Sequence, residues 1–133
     1  MSGSNIAVTN NLVSNSGLAN AIGNIDRQGD SFTSFGVSGL LVSGNTFENP
    51  YCYQMAFWEG DARNITIENN HISGGITNGI YFQVAAFDII VSHNAISYNS
   101  EMGVAFERSA TSVQVTDNLF CDDGVLFNGA VEG

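Results

Sequence analysis

The sequence predicts an all-β protein whose single chain winds into a parallel β-helix of about five coils. Three observations predict this fold. A pattern recurs about every 24 residues, apolar residues alternate with period two inside each copy, and an asparagine holds the same place in all five copies. No stretch shows the sustained three- and four-residue spacing of amphipathic helices, which excludes helical repeats. We expect one domain over residues 1–133.

Each copy reads apolar, any, apolar, any, any, Asn, any, apolar, and a second short apolar strand follows the asparagine by six to nine residues in the last four copies. Such short strands cannot bury their apolar side alone, so successive coils must stack with each inward side chain on an equivalent one. The pattern asparagines are Asn11, Asn45, Asn70, Asn94 and Asn118. The predicted inward columns include Ile6, Leu40, Ile65, Ile89 and Val113, and also Phe57, Phe82, Phe106 and Phe127.

The asparagine column requires paired amides, because a buried polar side chain costs free energy unless its donors and acceptors are satisfied. Stacking supplies these partners as an Asn ladder, and Asn also tolerates the left-handed backbone of sharp turns. On these residues the chain resembles the right-handed parallel β-helix superfamily, the pectin-lyase-like fold of polysaccharide lyases, epimerases, glycoside hydrolases and phage tailspikes. The resemblance runs from about Asn5 to Phe127 and concerns the fold rather than a catalytic motif.

One irregularity interrupts the repeat, since the first step between pattern asparagines is about ten residues longer than the others. We place the excess in an insertion loop at about residues 25–38. We interpret this loop as a solvated segment or a flap over one end of the stack, with a loop that shapes a binding site as the alternative.

The charge balance excludes several partners. The chain has thirteen acidic residues and only three basic ones, Arg27, Arg63 and Arg108. The resulting net charge of -10 excludes a basic nucleic-acid-binding protein. No apolar run approaches the length of a membrane span, and no signal peptide is visible, so we expect no membrane partner and an extracellular location only if a parent chain is secreted. The acidic excess opposes a polyanionic ligand and favours a neutral polysaccharide.

The resemblance implies that the strand after the turn glycine carries the substrate groove. Outward positions on that strand include Trp58, Tyr81 and Gln83. An exposed indole and a phenol can stack on sugar rings, and an amide can bond their hydroxyls. We therefore predict these three residues as the polysaccharide-binding strip.

Glu59, Glu107 and Arg108 are the candidate catalytic residues. The two glutamates stand two coils apart, about 9.6 Å along the axis, which is near the upper end of the carboxyl separation of inverting glycosidases. The resemblance assigns Arg108 the role of base or anion clamp that lyases of this fold use. The alternatives are solvated surface acids and an ordinary surface ion pair. Whether the domain is an enzyme stays open; if it is, it is a polysaccharide hydrolase or lyase.

No motif predicts a metal or another cofactor. Asp117, Asp122 and Asp123 lack the spacing of a known calcium loop, so calcium enters only through the lyases and epimerases that the fold resembles. His71 and His93 lack a third ligand and are interpreted as hydrogen-bonded turn residues.

Two features concern assembly. Five coils span only about 24 Å, and open ends would expose strand edges and apolar side chains. We expect a homo-oligomer joined at its ends or sides, or a segment of a larger parent chain.

Cys52 and Cys121 occupy different repeat positions and are expected to be reduced. The functional hypothesis is a carbohydrate-binding or carbohydrate-active domain, and the alternative is a non-catalytic structural or adhesive module.

Overall fold

A computed structural model describes residues 3–15, 30–50 and 52–133, and the described residues form strands and turns without a helix. The all-β prediction is confirmed. The strands, in chain order, are β1 (Gly3–Thr9), β2 (Leu12–Ser14), β3 (Phe32–Phe35), β4 (Val37–Ser43), β5 (Thr46–Glu48), β6 (Met55–Trp58), β7 (Ala62–Glu68), β8 (His71–Ser73), β9 (Ile80–Phe82), β10 (Ala86–Ser92), β11 (Ala95–Ser97), β12 (Val104–Phe106), β13 (Ala110–Thr116), β14 (Leu119–Cys121), β15 (Val125–Phe127) and β16 (Val131–Glu132).

The strands form three parallel sheets, because each turn of the chain contributes one strand to each sheet. Sheet A has the order β1-β4-β7-β10-β13-β16, sheet B joins β2, β5, β8, β11 and β14, and sheet C joins β3, β6, β9, β12 and β15. Four turns, from β4 to β15, have all three of their strands among the described residues, while β1 and β2 begin a further one. The expected count of about five includes that first turn, part of which lies outside the described residues.

The core consists of the predicted columns. Pairing aligns Leu40, Ile65 and Ile89 in sheet A, and all three are at most 2 % exposed. In sheet C the rings of the predicted phenylalanine column stack with centroids 4.4 to 4.8 Å apart and planes within 4° of parallel. Each fully buried aromatic side chain contributes about 2 to 3 kcal/mol of burial free energy, so the column is a large share of the driving force for winding. The column comprises Phe57, Phe82, Phe106 and Phe127.

The predicted Asn ladder is present between sheets A and B. Each of the first four asparagines donates its backbone N–H and its Nδ2 to Oδ1 of the asparagine one turn later, at 2.9 to 3.1 Å. Asn70 Nδ2 also bonds the carbonyl oxygen of Val42, which belongs to the preceding turn. These bonds satisfy an amide that is only 2 % exposed, so the buried column carries no unpaired donor at its centre.

Left-handed backbone recurs at the corners of the coil. The residue before each ladder asparagine has φ between 55° and 67°, and the residue after each sheet B strand has φ between 50° and 77°. Glycine adopts such angles without strain, and among the other residues Asn and Asp adopt them most readily. This preference explains the abundance of Asn, Asp and Gly in the repeat. The first corner contains Asn10, Gly44, Asn69, His93 and Asp117, and the second contains Asn15, Asn49, Gly74, Tyr98 and Asp122.

The predicted insertion at 25–38 was wrong over its described part. Phe32–Phe35 is β3, which pairs with β6, and Val37–Ser43 is β4, so residues 32–38 belong to the regular coil apart from the turn at Gly36. Residues 25–29 lie outside the described residues. The extra length falls between β2 and β3, because residues 15–31 connect those strands where only residues 49–54 connect β5 to β6.

Candidate functional site

The outward face of sheet C holds the predicted binding strip. Outward positions alternate with the buried phenylalanines, so β9 presents Tyr81 and the residue after it, Gln83. The backbone bonds of Gln83 to the Phe57 carbonyl and of Glu107 to the Phe82 carbonyl continue the register beyond the strands. Trp58, Gln83 and Glu107 therefore share one outward column.

Trp58 lies on this face, but it is not the exposed platform that the sequence predicts. Its side chain is only 7 % exposed. The rings of Tyr53 and Tyr81 contact it edge-on, with centroids 5.4 and 5.5 Å away, and its Nε1 lies 3.4 Å from an Asp30 carboxylate oxygen. The expectation of an exposed indole is therefore wrong, because Trp58 is a buried member of an aromatic cluster with Tyr53 and Tyr81.

Tyr53 is one of the site residues that the sequence analysis does not predict. It lies in the connection before β6, where no strand periodicity marks it. Its ring stacks on Tyr81 with centroids 4.8 Å apart and planes 10° from parallel. The strand alternation gives no signal for it, because a residue two positions before the buried Met55 would face inward by the same period.

Two clefts divide the predicted strip. The first, which we call the tyrosine cleft, has a volume of about 300 Å³. The second, which we call the arginine cleft, has a volume of about 410 Å³. The tyrosine cleft is lined by Tyr53, Asn78, Tyr81, Glu101, Met102, Ala105, Glu107, Leu126 and Asn128. The arginine cleft is lined by Glu59, Gly60, Asp61, Gln83, Val84, Ala85 and Arg108.

This division separates the predicted catalytic residues. Glu107 lines the tyrosine cleft, whereas Glu59 and Arg108 line the arginine cleft. Glu59 follows Trp58 and Arg108 follows Glu107, so Glu59 shares a register position with Arg108 and not with Glu107. The carboxylate that joins Glu107 in one cleft is Glu101, from the connection before β12.

Hydrogen bonds orient both carboxylates of the tyrosine cleft. Glu101 accepts a bond from Asn78 Nδ2 at 2.9 Å, and Glu107 accepts one from Asn128 Nδ2 at 3.0 Å. Burial raises the pKa of Tyr81, and the charges of Glu107 and Glu101 raise it further, while Arg108 lowers it in part. Both effects keep the phenol protonated at neutral pH, where it can donate a hydrogen bond.

The arginine cleft has a simpler charge arrangement. Arg63 and Asp61 form an ion pair at 2.7 Å at its rim, with both side chains about half exposed, so the pair contributes little stability. Arg108 is exposed and has no carboxylate within ion-pair distance among the described residues, which excludes a Glu107–Arg108 pair. The cleft therefore offers a free guanidinium at one end.

A comparison with known families now bears on the fold. The family model described as the right handed beta helix region matches residues 1–130. The chain belongs to the right-handed β-helix family. No curated protein and no solved structure matches the chain. The family establishes the architecture of this β-helix domain, while its chemistry has to be argued from the clefts.

No group of three or more His, Cys, Asp or Glu side chains in the described part of this β-helix domain could hold a metal ion. His93 occupies a left-handed corner, as the turn interpretation predicts. His71 instead begins β8, with its Nε2 3.3 Å from the Ser73 hydroxyl, and corresponds in register to Thr46. The two histidines thus occupy different places in the repeat.

The three aspartates that come nearest to an acidic cluster in the sequence form no metal-holding group among the described residues. Asp117 and Asp122 occupy different corners of the coil, and Asp123 accepts bonds from the backbone and side chain of Asn99 at 3.4 and 3.2 Å. Asp123 thereby acts as a rung of a second, shorter ladder, in which Gly75 N–H donates to Asn99 Oδ1 at 3.0 Å. These carboxylates do not converge on one point.

Both cysteines are free, with Cys52 buried and Cys121 exposed. Burial raises the pKa of the Cys52 thiol to about 11, and the nearby Asp30 carboxylate adds to that rise. A thiol with such a pKa is protonated at neutral pH and is a poor nucleophile. No helix that could cross a membrane occurs in the ranges 3–15, 30–50 and 52–133.

Proposed function

We propose that this β-helix domain binds a neutral polysaccharide on the outer face of sheet C, with the tyrosine cleft as its main site. The carrying observation is the composition of the cleft, which combines two stacked tyrosine rings with two amide-bonded carboxylates. Aromatic faces bury the apolar side of a sugar ring, while carboxylates and amides bond its hydroxyls.

The charge of the cleft supports a neutral ligand. Glu101 and Glu107 supply two carboxylates, no basic side chain among the described residues lines the cleft, and the whole chain carries a formal charge of -10. An anionic sugar would meet repulsion both locally and at long range. Hydroxyl groups, in contrast, donate readily to ionised carboxylates, and such bonds are stronger than neutral ones.

Titration calorimetry against neutral polysaccharides and their oligosaccharides tests the proposal. Tyr81→Ala removes the central ring of the cleft and is expected to weaken binding about tenfold or more. Tyr98→Ala is the matched control, because Tyr98 is 64 % exposed and lies at the corner after sheet B. Absence of binding to any neutral glycan, or equal affinities of the two variants, would refute the proposal.

The two carboxylates of the tyrosine cleft are also the candidates for hydrolysis of a bound polysaccharide. If the domain cleaves the bound polysaccharide, we infer that Glu101 and Glu107 are the acid and base, since both line the tyrosine cleft while Glu59 does not. Glu107→Gln is then expected to stop the release of reducing ends and to leave binding within a few-fold of the wild type. Unchanged release by this variant would remove Glu107 from the mechanism.

The alternative function is end-to-end assembly as a structural module, and one observation favours it. The Asn ladder has a direction: among the described residues Asn118 N–H has no acceptor and Asn11 Oδ1 has no donor. The last rung of one copy thus complements the first rung of the next. At the same end of the stack, the inward-facing side chain of Phe127 is 39 % exposed.

Sedimentation velocity over a range of concentrations tests this alternative. Head-to-tail assembly predicts species that lengthen with concentration and that Phe127→Glu abolishes. A monomer at every concentration would rule the alternative out, and glycan binding by that monomer would leave the first proposal standing.

A further inference from the structure

Two Asn-Gly dipeptides place their asparagine in the lining of the tyrosine cleft, and the two asparagines differ in how many hydrogen bonds hold them. Asn78–Gly79 precedes β9, and Asn128–Gly129 follows β15. In such a pair the backbone nitrogen of the glycine can attack the side-chain Cγ of the asparagine, because glycine has no side chain to block the approach. Whether the attack occurs depends on how firmly the two groups are held.

Asn78 is held firmly. Its side chain is only 4 % exposed, its Nδ2 donates to Glu101, and its Oδ1 accepts the backbone N–H of Met102 at 3.1 Å. The attacking group is also engaged, because Gly79 N–H donates to the Met102 carbonyl at 2.9 Å. Attack at this site requires the coil to open first.

Asn128 is held by far less. It is exposed, and its side chain makes one bond, from Nδ2 to Glu107 Oε2 at 3.0 Å. Gly129 N–H has no acceptor among the described residues. The dipeptide lies in the short connection between β15 and the two-residue strand β16. Backbone bonds flank it, from Asn128 N–H to the Phe106 carbonyl and from Ala110 N–H to the Ala130 carbonyl, but neither of them engages the attacking nitrogen or the Asn128 side chain.

The fold also requires the glycine that permits the reaction. A Cβ at residue 129 would lie 2.2 Å from the backbone carbonyl of Arg108, a distance at which backbone atoms overlap. Substitution of Gly129 by a larger residue is therefore blocked by packing. The reactive dipeptide follows from the close approach of two consecutive turns.

We propose that Asn128 deamidates spontaneously in the folded protein and so converts an amide wall of the tyrosine cleft into a carboxylate. The Gly129 nitrogen forms a bond to Asn128 Cγ, and the amide nitrogen leaves as ammonia with the proton lost from Gly129. Water then opens the cyclic imide at either carbonyl, which leaves aspartate or isoaspartate at position 128. The only co-reactant is water.

The product changes the cleft. The amide that donates to Glu107 is replaced by a second carboxylate facing the first, so the donor is lost and like charges are brought together. Isoaspartate also lengthens the main chain before β16, which pairs with β13 only through Ala110 with Val131 and Thr111 with Glu132. The expected loss of glycan affinity rests on the proposed function, whereas the reaction itself does not.

Peptide mapping of the whole protein after incubation in mildly alkaline buffer tests the reaction. Trypsin cleaves only after arginine here, because the chain has no lysine, and it places Asn78 in peptide 64–108 and Asn128 in peptide 109–133. Tandem mass spectrometry locates the converted residue in each peptide. The same incubation in denaturant provides the reference rate for each site.

In denaturant, Asn78 and Asn128 are expected to convert at similar rates. In the folded protein Asn128 should keep a rate close to that reference, while Asn78 should slow about tenfold or more because its attack waits for local opening. Equal protection of the two sites in the folded protein would overturn the proposal.

Two substitutions test the effect on the cleft. Asn128→Asp reproduces the product, and Asn128→Gln is the control that keeps an amide and cyclises poorly. Asn128→Asp is expected to bind neutral glycan about tenfold more weakly than Asn128→Gln, as the loss of a bond to a charged partner predicts. Equal affinities would refute the effect on binding. A wild type that binds no glycan would refute the proposed function and leave the peptide result intact.

Discussion

The two faces of sheet C are built from alternate residues of the same strands, yet they follow opposite rules. Inward, four turns repeat phenylalanine, and the rings stack nearly parallel. Outward, one column changes from Trp58 to Gln83 to Glu107. An inward side chain packs on its own equivalents one turn above and below, so one residue type satisfies every turn. An outward side chain has no such requirement and can vary its chemistry from turn to turn.

The corners of the coil show a similar contrast. The ladder after sheet A uses asparagine in every turn and leaves its central rungs fully bonded. The shorter ladder after sheet B changes from Gly75 to Asn99 to Asp123, and the Oδ1 atom of Asp123 is buried without a hydrogen-bond partner among the described residues. Regular corners are saturated, and irregular corners carry an unsatisfied group.

The largest expected effect breaks the inward column. Phe82→Ala removes a ring that is 0 % exposed and stacked on both sides, and it should lower the free energy of unfolding by about 4 kcal/mol. Phe127→Ala is the matched control at the end of the same column, where the ring is 39 % exposed and stacked on one side. Its expected cost is about 1 to 2 kcal/mol. Urea unfolding measures both, and equal costs would show that the stack is not the unit of stability.

The second effect breaks the regular ladder. Asn70→Ala leaves the Asn45 donors without their acceptor and the Val42 carbonyl without its donor, so a loss of about 3 kcal/mol is expected. Asn118→Ala, at the end of the ladder, removes fewer bonds from a less buried site and should cost about 1 kcal/mol. A larger cost for Asn118→Ala than for Asn70→Ala would contradict the ladder as the stabilising element.

The smallest expected effect comes from a substitution at Asp123, the unsatisfied residue of the shorter ladder after sheet B. Burial raises the pKa of Asp123, although the bonds from Asn99 lower it in part. Since the folded-state pKa lies above the unfolded one, ionisation costs stability as the pH rises through it, and protonation restores that stability at acid pH. Asp123→Asn should therefore stabilise the protein by about 0.5 to 1 kcal/mol at neutral pH.

Urea unfolding at several pH values checks this last prediction. The gain from Asp123→Asn should shrink as the pH falls toward the ordinary pKa range of aspartate, where the wild-type carboxyl is also neutral. A gain that does not depend on pH would show that the carboxylate charge is not its cause.

Most of the fold could be predicted from the sequence, and the exceptions have identifiable causes. The strand β3 was missed because Ser34 stands where later turns have phenylalanine, although the pairing of Ser34 with Phe57 places it in the same column. Ser34 is only 1 % exposed, so its inward position shows in the structure and not in its residue type. A long connection before β3 also shifted the strand out of the expected spacing.

Of the candidate site, the sequence predicts only the face of the sheet on which it lies. The alternation of the strands correctly placed Tyr81, Gln83 and Glu107 on the outer side of sheet C. It could not reveal that Tyr53 packs on Trp58 and Tyr81, because Tyr53 comes from a connection whose path no periodicity records. Glu101 was missed for the same reason.

The sequence by itself determined the all-β coil, its repeat and the residues that fill its core, because each turn packs on a copy of itself and the pattern of one turn is repeated in the next. Only the tertiary structure decided which outward side chains meet. Residues from the connections between strands, such as Tyr53 and Glu101, converge on the tyrosine cleft from different turns of the chain. Their contacts depend on the paths of those connections, which obey no repeat.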